Sequence, residues 1–389
     1  AAAFGSLVGV GASTLVAIKL GQKDKESATH VLGNVVLLNA IIGLIFMTVA
    51  LVFLNPILLF FGASSYTLPY AREYMEVILA GNLITHIYMG LNEVLRASGY
   101  PRKAMTATLM AVIVNCVLDA LFILVFEWGI RGAALATIMA QVISLSWQLH
   151  HFFDKKSFLH FQRGIFGLKR HIVGGMLAIG LSPFLMNLCA CFVVILINKS
   201  LKAHGGDLAI GAYGIVNRVV FLFIMIVMGF NQGMQPIAGY NFGARQFDRL
   251  IQVLKYTIFC GVTVTTIGFL SGQLFPRSIV YLFTTDAELI RIAVEGLRIV
   301  VIFFPVVGFQ MVTSSFFQSI GMAKKAIFLS LTRQLLFLIP SLLILPNFFG
   351  TDGVWMSMPV ADAIATIVAA LMLRWQLKHL NDSFVEEIA

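Results

Sequence analysis

The passage ASGYPRKAM at residues 97–105 returns as SIGMAKKAI at residues 319–327. Each closes one apolar run with a small residue and a glycine, then opens the next with a basic residue. Outward from this pair, Gly11 and Gly233, Gly21 and Gly243, Ala71 and Ala293, Glu73 and Glu295, and Lys103 and Lys325 are all 222 positions apart. Toward the ends the offset slips by one, so that Gly132 matches Gly353 and Gln141 matches Asp362. A near-constant offset maintained across about 130 residues indicates an internal duplication.

Apolar runs surround both passages. The chain has 389 residues, 59% of them hydrophobic and 12% charged, with mean hydropathy +0.91. A soluble chain carries about a quarter charged residues, so this surface needs lipid. Eleven spans are expected, at 1–20, 29–54, 73–96, 102–126, 130–153, 171–198, 207–239, 250–275, 289–320, 323–346 and 352–378. Each is long enough to cross ~30 Å of hydrocarbon as a helix. The net charge of +9 is topological: 18 of the 27 Lys and Arg residues fall on one side, 7 on the other, and Arg218 and Arg333 inside spans. The positive-inside rule then places the C-terminus in the cytoplasm of a multi-pass plasma (inner) membrane protein, with the bilayer rather than nucleic acid as partner.

An even number of spans per repeat gives two like-oriented halves, related by an axis along the membrane normal. We expect an N-terminal lobe at 1–153, a cytoplasmic linker at 154–170 and a C-terminal lobe at 171–389. By the 222 offset Ala1 falls opposite Phe223, so the first lobe reads as truncated by about 55 residues. The linker, DKKSFLHFQRGIFGLKR, is basic and partly amphipathic, which suggests a helix on the membrane surface. Cys116, Cys189, Cys191 and Cys260 lie in apolar runs without a CxxC and are expected to be buried free thiols. No metal site or cofactor is expected. Walker A, HExxH and GxSxG motifs are missing, and the eight His residues lie mostly at loops or ends, so the chain does not read as an enzyme.

Several motifs resemble the multidrug and toxic compound extrusion (MATE) family. They are GVGASTLVAIKLGQKDKESA (9–28), LRASGYPRKAM (95–105), NCVLDALFILVFEWGIRGAALAT (115–137), AYGIVNRV (212–219) and GFNQGMQPIAGYNFGAR (229–245). The resemblance covers essentially the whole chain. It implies an all-α membrane fold of twelve helices in two six-helix bundles around a V-shaped cleft, with the first helix and part of the second missing here. It also implies export of drug-like amphipathic or cationic small molecules by alternating access, driven by entry of H+ or Na+. A lipid-linked precursor or polysaccharide flippase of the same superfamily is the competing expectation. The shortage of interior Arg and Lys disfavours it, and duplicated lobes suit rocking better than a passive channel.

Ionisable residues inside lipid are functional candidates by default. Asp119, Arg218, Arg333 and Asp362 lie deepest. Asp119 is eight residues from the outer end of its span, about 12 Å down, with Asn115 one turn deeper on the same face. Desolvation favours the uncharged form of a carboxyl group, so an acid alternately enclosed and hydrated can load and release a proton. A fixed hydrogen bond between helices is the alternative role. The pattern of Asn115 and Asp119 is similar to that of archaeal and DinF-like members, which implies that Thr137 and Tyr74 join the same network. Those members add an Asp on a first helix that this chain does not contain. The NorM-like pattern fits poorly, since neither 171–198 nor 300–321 holds an acidic residue, and this favours H+ over Na+.

Arg333 and Asp362, each about 15 Å deep on adjacent spans, are expected to form a structural charge pair; Arg218 could pair with Asp362 or bind an anion. Glu93 is expected in water or paired with Arg96. Asn231, Gln232 and Gln235 either line the cleft or link helices. Met186, Met225, Met228 and Met234 could supply an adaptable apolar wall, though methionine at helical spacing also serves plain packing. Gly9, Gly11, Gly229 and Gly233 should let helices approach closely. Pro183, Pro236, Pro305, Pro340 and Pro359 should interrupt helices.

Overall fold

The computed structural model describes residues 2–61 and 63–380, and these are helical almost throughout. In order they form α1 (Ala2–Gly21), α2 (Lys25–Val52), α3 (Leu54–Phe60), α4 (Leu68–Ala80), α5 (Asn82–Ala97), α6 (Pro101–Ala120) and α7 (Gly129–Phe153). These are followed by α8 (Arg170–Gly243), α9 (Phe247–Leu274), α10 (Pro276–Tyr281), α11 (Ala287–Val300), α12 (Phe304–Ser319), α13 (Ala323–Leu331) and α14 (Ile339–Lys378). Two π-helical turns are inserted, Leu121–Val125 after α6 and Thr332–Leu338 between α13 and α14.

At 74 residues α8 would run about 110 Å as one rod. It breaks at Gly206, whose φ is 70°, and α14 breaks at Gly350 with φ 58°. In each case glycine is the residue that accepts the left-handed backbone. Among the described residues seven helices are long and apolar enough to cross a membrane and the bent pair α11–α12 makes an eighth; the breaks at Gly206 and Gly350 raise this to ten of the eleven expected spans, and α4 and α5 together cover the remaining stretch, 73–96. Residues 381–389 lie outside the described residues.

The chain divides into two compact units, Ala1–Gly180 and Leu181–Ala389. The duplication is visible in their backbones. Lys23 and Arg245 both adopt positive φ, as do Gly99 and Gly321, and Gly129 and Gly350. Side chains repeat too: Asn92 Nδ2 donates to Thr108 Oγ1 at 3.3 Å, and the Ser314 and Ser330 hydroxyls, 222 residues on, lie 3.0 Å apart. At the start of α6, Lys103 stands over the Tyr100 ring at 5.0 Å, and at the start of α13 Lys325 stands over the Trp375 ring at 4.7 Å.

The first unit buries Val8, Leu32, Leu91, Leu95 and Phe152 in one core. Small residues set its spacing. A Cβ on Gly11 would sit 1.9 Å from the Met176 carbonyl oxygen, and one on Gly180 would sit 1.6 Å from that of Leu7. The start of α8 is therefore pressed against α1. Gly229 and Gly233 do not do likewise, since nothing lies within 4 Å of either. Pro183 and Pro236 fall inside α8 and Pro359 inside α14, and Pro340 follows directly on the π-turn that joins α13 to α14, so it too lies within a continuous helical run; Pro305 alone of the five occupies a first-turn position, where proline costs no hydrogen bond.

The linker departs from expectation. Residues 154–169 are not helical. Asn34 Nδ2 donates to the carbonyls of Ile165 and Gly167, and the Lys169 amide donates to Asn34 Oδ1 at 3.1 Å. Leu159 and Ile165 are buried. One asparagine satisfying three backbone groups, with two anchors in the core, holds an extended strap where a surface helix was expected. The cysteines also differ: all are free, but Cys116 and Cys191 are exposed. Both lie in spanning helices.

Candidate functional site

In the first unit α6 packs along α7, and Asn115 and Thr137 meet across the pair. Asn115 Nδ2 donates to Thr137 Oγ1 at 3.3 Å, while the Thr137 hydroxyl donates to the Ala133 carbonyl at 3.1 Å. Asp119 lies one turn beyond Asn115 on α6, immediately before the π-turn Leu121–Val125. Its Oδ1 is buried and has no hydrogen-bond partner among the described residues. A π-turn adds a residue to a helical turn and shifts the register of the residues beyond it; such turns concentrate at functional sites. Tyr74 is half-buried on α4 and makes no hydrogen bond to this group among the described residues. Two further contacts in this unit have no signal in the sequence pattern. Thr85 Oγ1 donates to Gln141 Oε1 at 2.5 Å, and Arg131 pairs with Glu73 at 3.7 Å.

The second unit holds a charge pair instead. Arg333 Nε donates to Asp362 Oδ1 at 2.5 Å, with the Asp362 side chain 7% exposed and that of Arg333 28%. Arg333 sits on the π-turn Thr332–Leu338, which packs along α14. Arg218 is exposed and forms no ion pair among the described residues. Glu93 and Arg96 pair with each other near the end of α5.

The polar run on α8 splits by helical phase. Asn231 and Gln235, one turn apart, are buried, whereas Gln232 is exposed. Met186, Met225 and Met228 are exposed but Met234 is 2% exposed, so the four methionines do not share a surface. The eight histidines were expected mostly at loops or ends. His86 instead lies mid-span on α5, buried, with neither ring nitrogen bonded among the described residues. Neutral imidazole escapes a search for charge, but a lone His amid apolar positions was the available signal.

A duplicated all-helical scaffold with glycine-broken spans and a few interior ionisable groups defines a polytopic membrane protein of two homologous halves. The MatE family model matches residues 1–121 and 179–343, and the chain belongs to that family. It is 28% identical over 377 residues to the multidrug export protein MepA of Staphylococcus aureus (strain MSSA476), covering 95% of this chain and 81% of MepA. MepA of Staphylococcus haemolyticus (strain JCSC1435) is 26% identical over 371 residues, with the same coverage. A MATE crystal structure in the bent conformation superposes with TM-score 0.93 at 26% identity, over 98% of this chain and 86% of that one. A MOP superfamily transporter from Pyrococcus furiosus, described as having a binding pocket of reverse polarity, gives TM-score 0.92 at 26% identity over 97% and 85%.

Proposed function

We propose that the chain exports small amphipathic or cationic organic compounds across the plasma membrane by alternating access, exchanging them for protons, with its C-terminus in the cytoplasm. Membership of the MatE family and likeness to two multidrug export proteins support the export reading. The observation that carries the coupling is Asp119, whose Oδ1 is buried and unpaired beside the Asn115–Thr137 bridge. An ionised carboxylate in that position leaves Oδ1 without a hydrogen-bond partner among the described residues, whereas a protonated one carries no charge that needs satisfying. Proton entry from outside would neutralise Asp119 and release on the inner side would recharge it, each change favouring one state of the lobe. Asn115 and Thr137 hold the helix pair in register. Tyr74 stands at the outer end of the same unit as a further hydrogen-bonding group.

In the second unit Asp362 is engaged by Arg333, which supports H+ over Na+ and leaves that arginine neutralised rather than open to a pyrophosphate group. Purified protein in vesicles, loaded with a fluorescent organic cation, tests the reading. An imposed ΔpH should drive efflux, an imposed ΔNa+ should not, and Asp119→Asn should abolish the ΔpH-driven component at unchanged expression. Equal efflux in Asp119→Asn would remove Asp119 from the mechanism. Efflux driven by ΔNa+ alone would replace the proton as coupling ion.

A further inference from the structure

Two helix crossings, one in each half, are built from the same positions with their bulk exchanged. In the first unit, Asn39 of α2 lies over Gly90 of α5, where a Cβ would come 2.2 Å from Asn39 Nδ2. His86 of α5 lies over Gly43 of α2, its Cβ and Cδ2 at 3.5 and 3.6 Å from a Cβ placed there. Adding 222 to each number gives Gly261, Val312, Gly308 and Thr265 in the second unit. There the bulky members sit on the opposite helices. Val312 of α12 covers Gly261 at 3.0 Å, and Thr265 of α9 covers Gly308 at 2.6 Å.

The fillers differ in polarity as well as in placement. Val312 is apolar, and the Thr265 hydroxyl lies 3.0 Å from the Gly261 carbonyl and 3.1 Å from that of Pro305. In the first unit the fillers are an amide and an imidazole, 0% and 1% exposed. Asn39 Nδ2 and Oδ1 and His86 Nδ1 and Nε2 have no hydrogen-bond partner among the described residues. Among the described residues the nearby groups do not supply one: Phe46 faces His86 at 6.5 Å between ring centres, and Glu93, further along α5, is paired with Arg96. Buried polar atoms in folded proteins take a partner from protein or from ordered water. A neutral imidazole and an amide each present both a donor and an acceptor. Water, with two of each, matches them and needs two to four such partners to be retained.

We propose that Asn39 and His86 form an internal water site that wets the N-terminal helix crossing while the equivalent crossing of Gly261, Val312, Thr265 and Gly308 stays dry. The site is independent of the export reading and of the coupling ion. Water-edited solid-state NMR on 15N-histidine-labelled protein in lipid bilayers tests it, with the His86 signal assigned by its loss in His86→Phe, or in His86→Gln if the Phe variant fails to fold. Magnetisation should pass from water to the His86 ring, as it does to the exposed His204, and Asn39→Leu should cut that transfer at least tenfold while leaving His204 unchanged. A His86 ring that receives none while His204 does, or a transfer indifferent to Asn39→Leu, would overturn the proposal.

Discussion

The stretches 111–119 and 333–341 lie in the same helix of the two repeats, and the polar groups they carry are complementary rather than alike. In the first, Asn115 and Asp119 are the polar members; with either offset their counterparts are uncharged, Leu336 or Phe337 and Pro340 or Ser341. In the second, Arg333 pairs with Asp362, where the first half has Ala111 or Val112 and Gln141. Each half also sets its π-turn beside its own ionisable residue, after Asp119 in one and around Arg333 in the other. Much of what the duplication kept lies at helix ends: the left-handed residues 23 and 245, the glycines 99 and 321, and the lysines 103 and 325 over aromatic rings. Helix ends fix the scaffold, and the helix interiors are free to divide roles. One half holds an acid whose buried Oδ1 has no partner among the described residues, the other an acid paired with arginine.

The largest expected effect breaks the second half alone. Arg333→Ala leaves Asp362 buried and unpaired, and stranding one member of such a pair costs about 3–5 kcal/mol. Thermal unfolding in detergent should show a sharply lowered midpoint, and Arg333→Ala/Asp362→Ala should recover much of it by removing both charges. A double variant as unstable as the single one would assign the loss to packing by Arg333 rather than to the stranded carboxylate.

Next in size is a comparison of glycines at one repeat position. Gly11→Ala puts a methyl group on the Met176 carbonyl, whereas the space beside Gly233 is open. Overpacking of that kind costs about 1–3 kcal/mol, here at the upper end because the obstacle is backbone. Gly233→Ala should be neutral or slightly stabilising through helix propensity. Matched melting curves should therefore separate the two variants clearly, and equal midpoints would contradict the close contact of α1 with α8.

The fold was largely legible in the sequence because its signals are long. Twenty-residue apolar runs, the 222 spacing and the glycines at breaks such as 206 and 350 all survive without knowledge of contacts. The Asn115–Thr137 contact was legible for a related reason: Asn115 shares one face of an apolar helix with Asp119, and the family pattern supplied the partner helix. The π-turns were not, since nothing in LFILV or TRQLLFL distinguishes a five-residue turn from an α-helical one, although the offset changes from 222 to 221 within that helix. Nor was the strap at 154–169, which depends on bonds between Asn34 and backbone groups 131, 133 and 135 positions later in the chain; Asn34 itself reads as one more polar residue in a span. The asymmetry of Asn39 and His86 against Gly261 and Gly308 is visible only once the repeat is laid on the contacts.

The smallest effect concerns the turn that opens α2 in one half and α9 in the other. Asp24 caps α2 by accepting from the Ser27 amide at 3.0 Å, and Lys19 lies 3.7 Å away; Gln246, 222 residues on, gives α9 no side-chain cap. Burial works to raise the Asp24 pKa, but the bonds to Ser27 and the Lys19 charge together leave it below its ordinary 3.8. A carboxylate lowered on folding stabilises the folded state at pH above its unfolded value, and that contribution disappears as pH falls through the folded value. At neutral pH, Asp24→Ala should cost about 1 kcal/mol and Gln246→Asp should gain a little less. The penalty of Asp24→Ala should shrink below pH 4 in melts followed across pH. A penalty that stays constant down to pH 2 would mean that Asp24 acts through its shape at the turn and not through its charge.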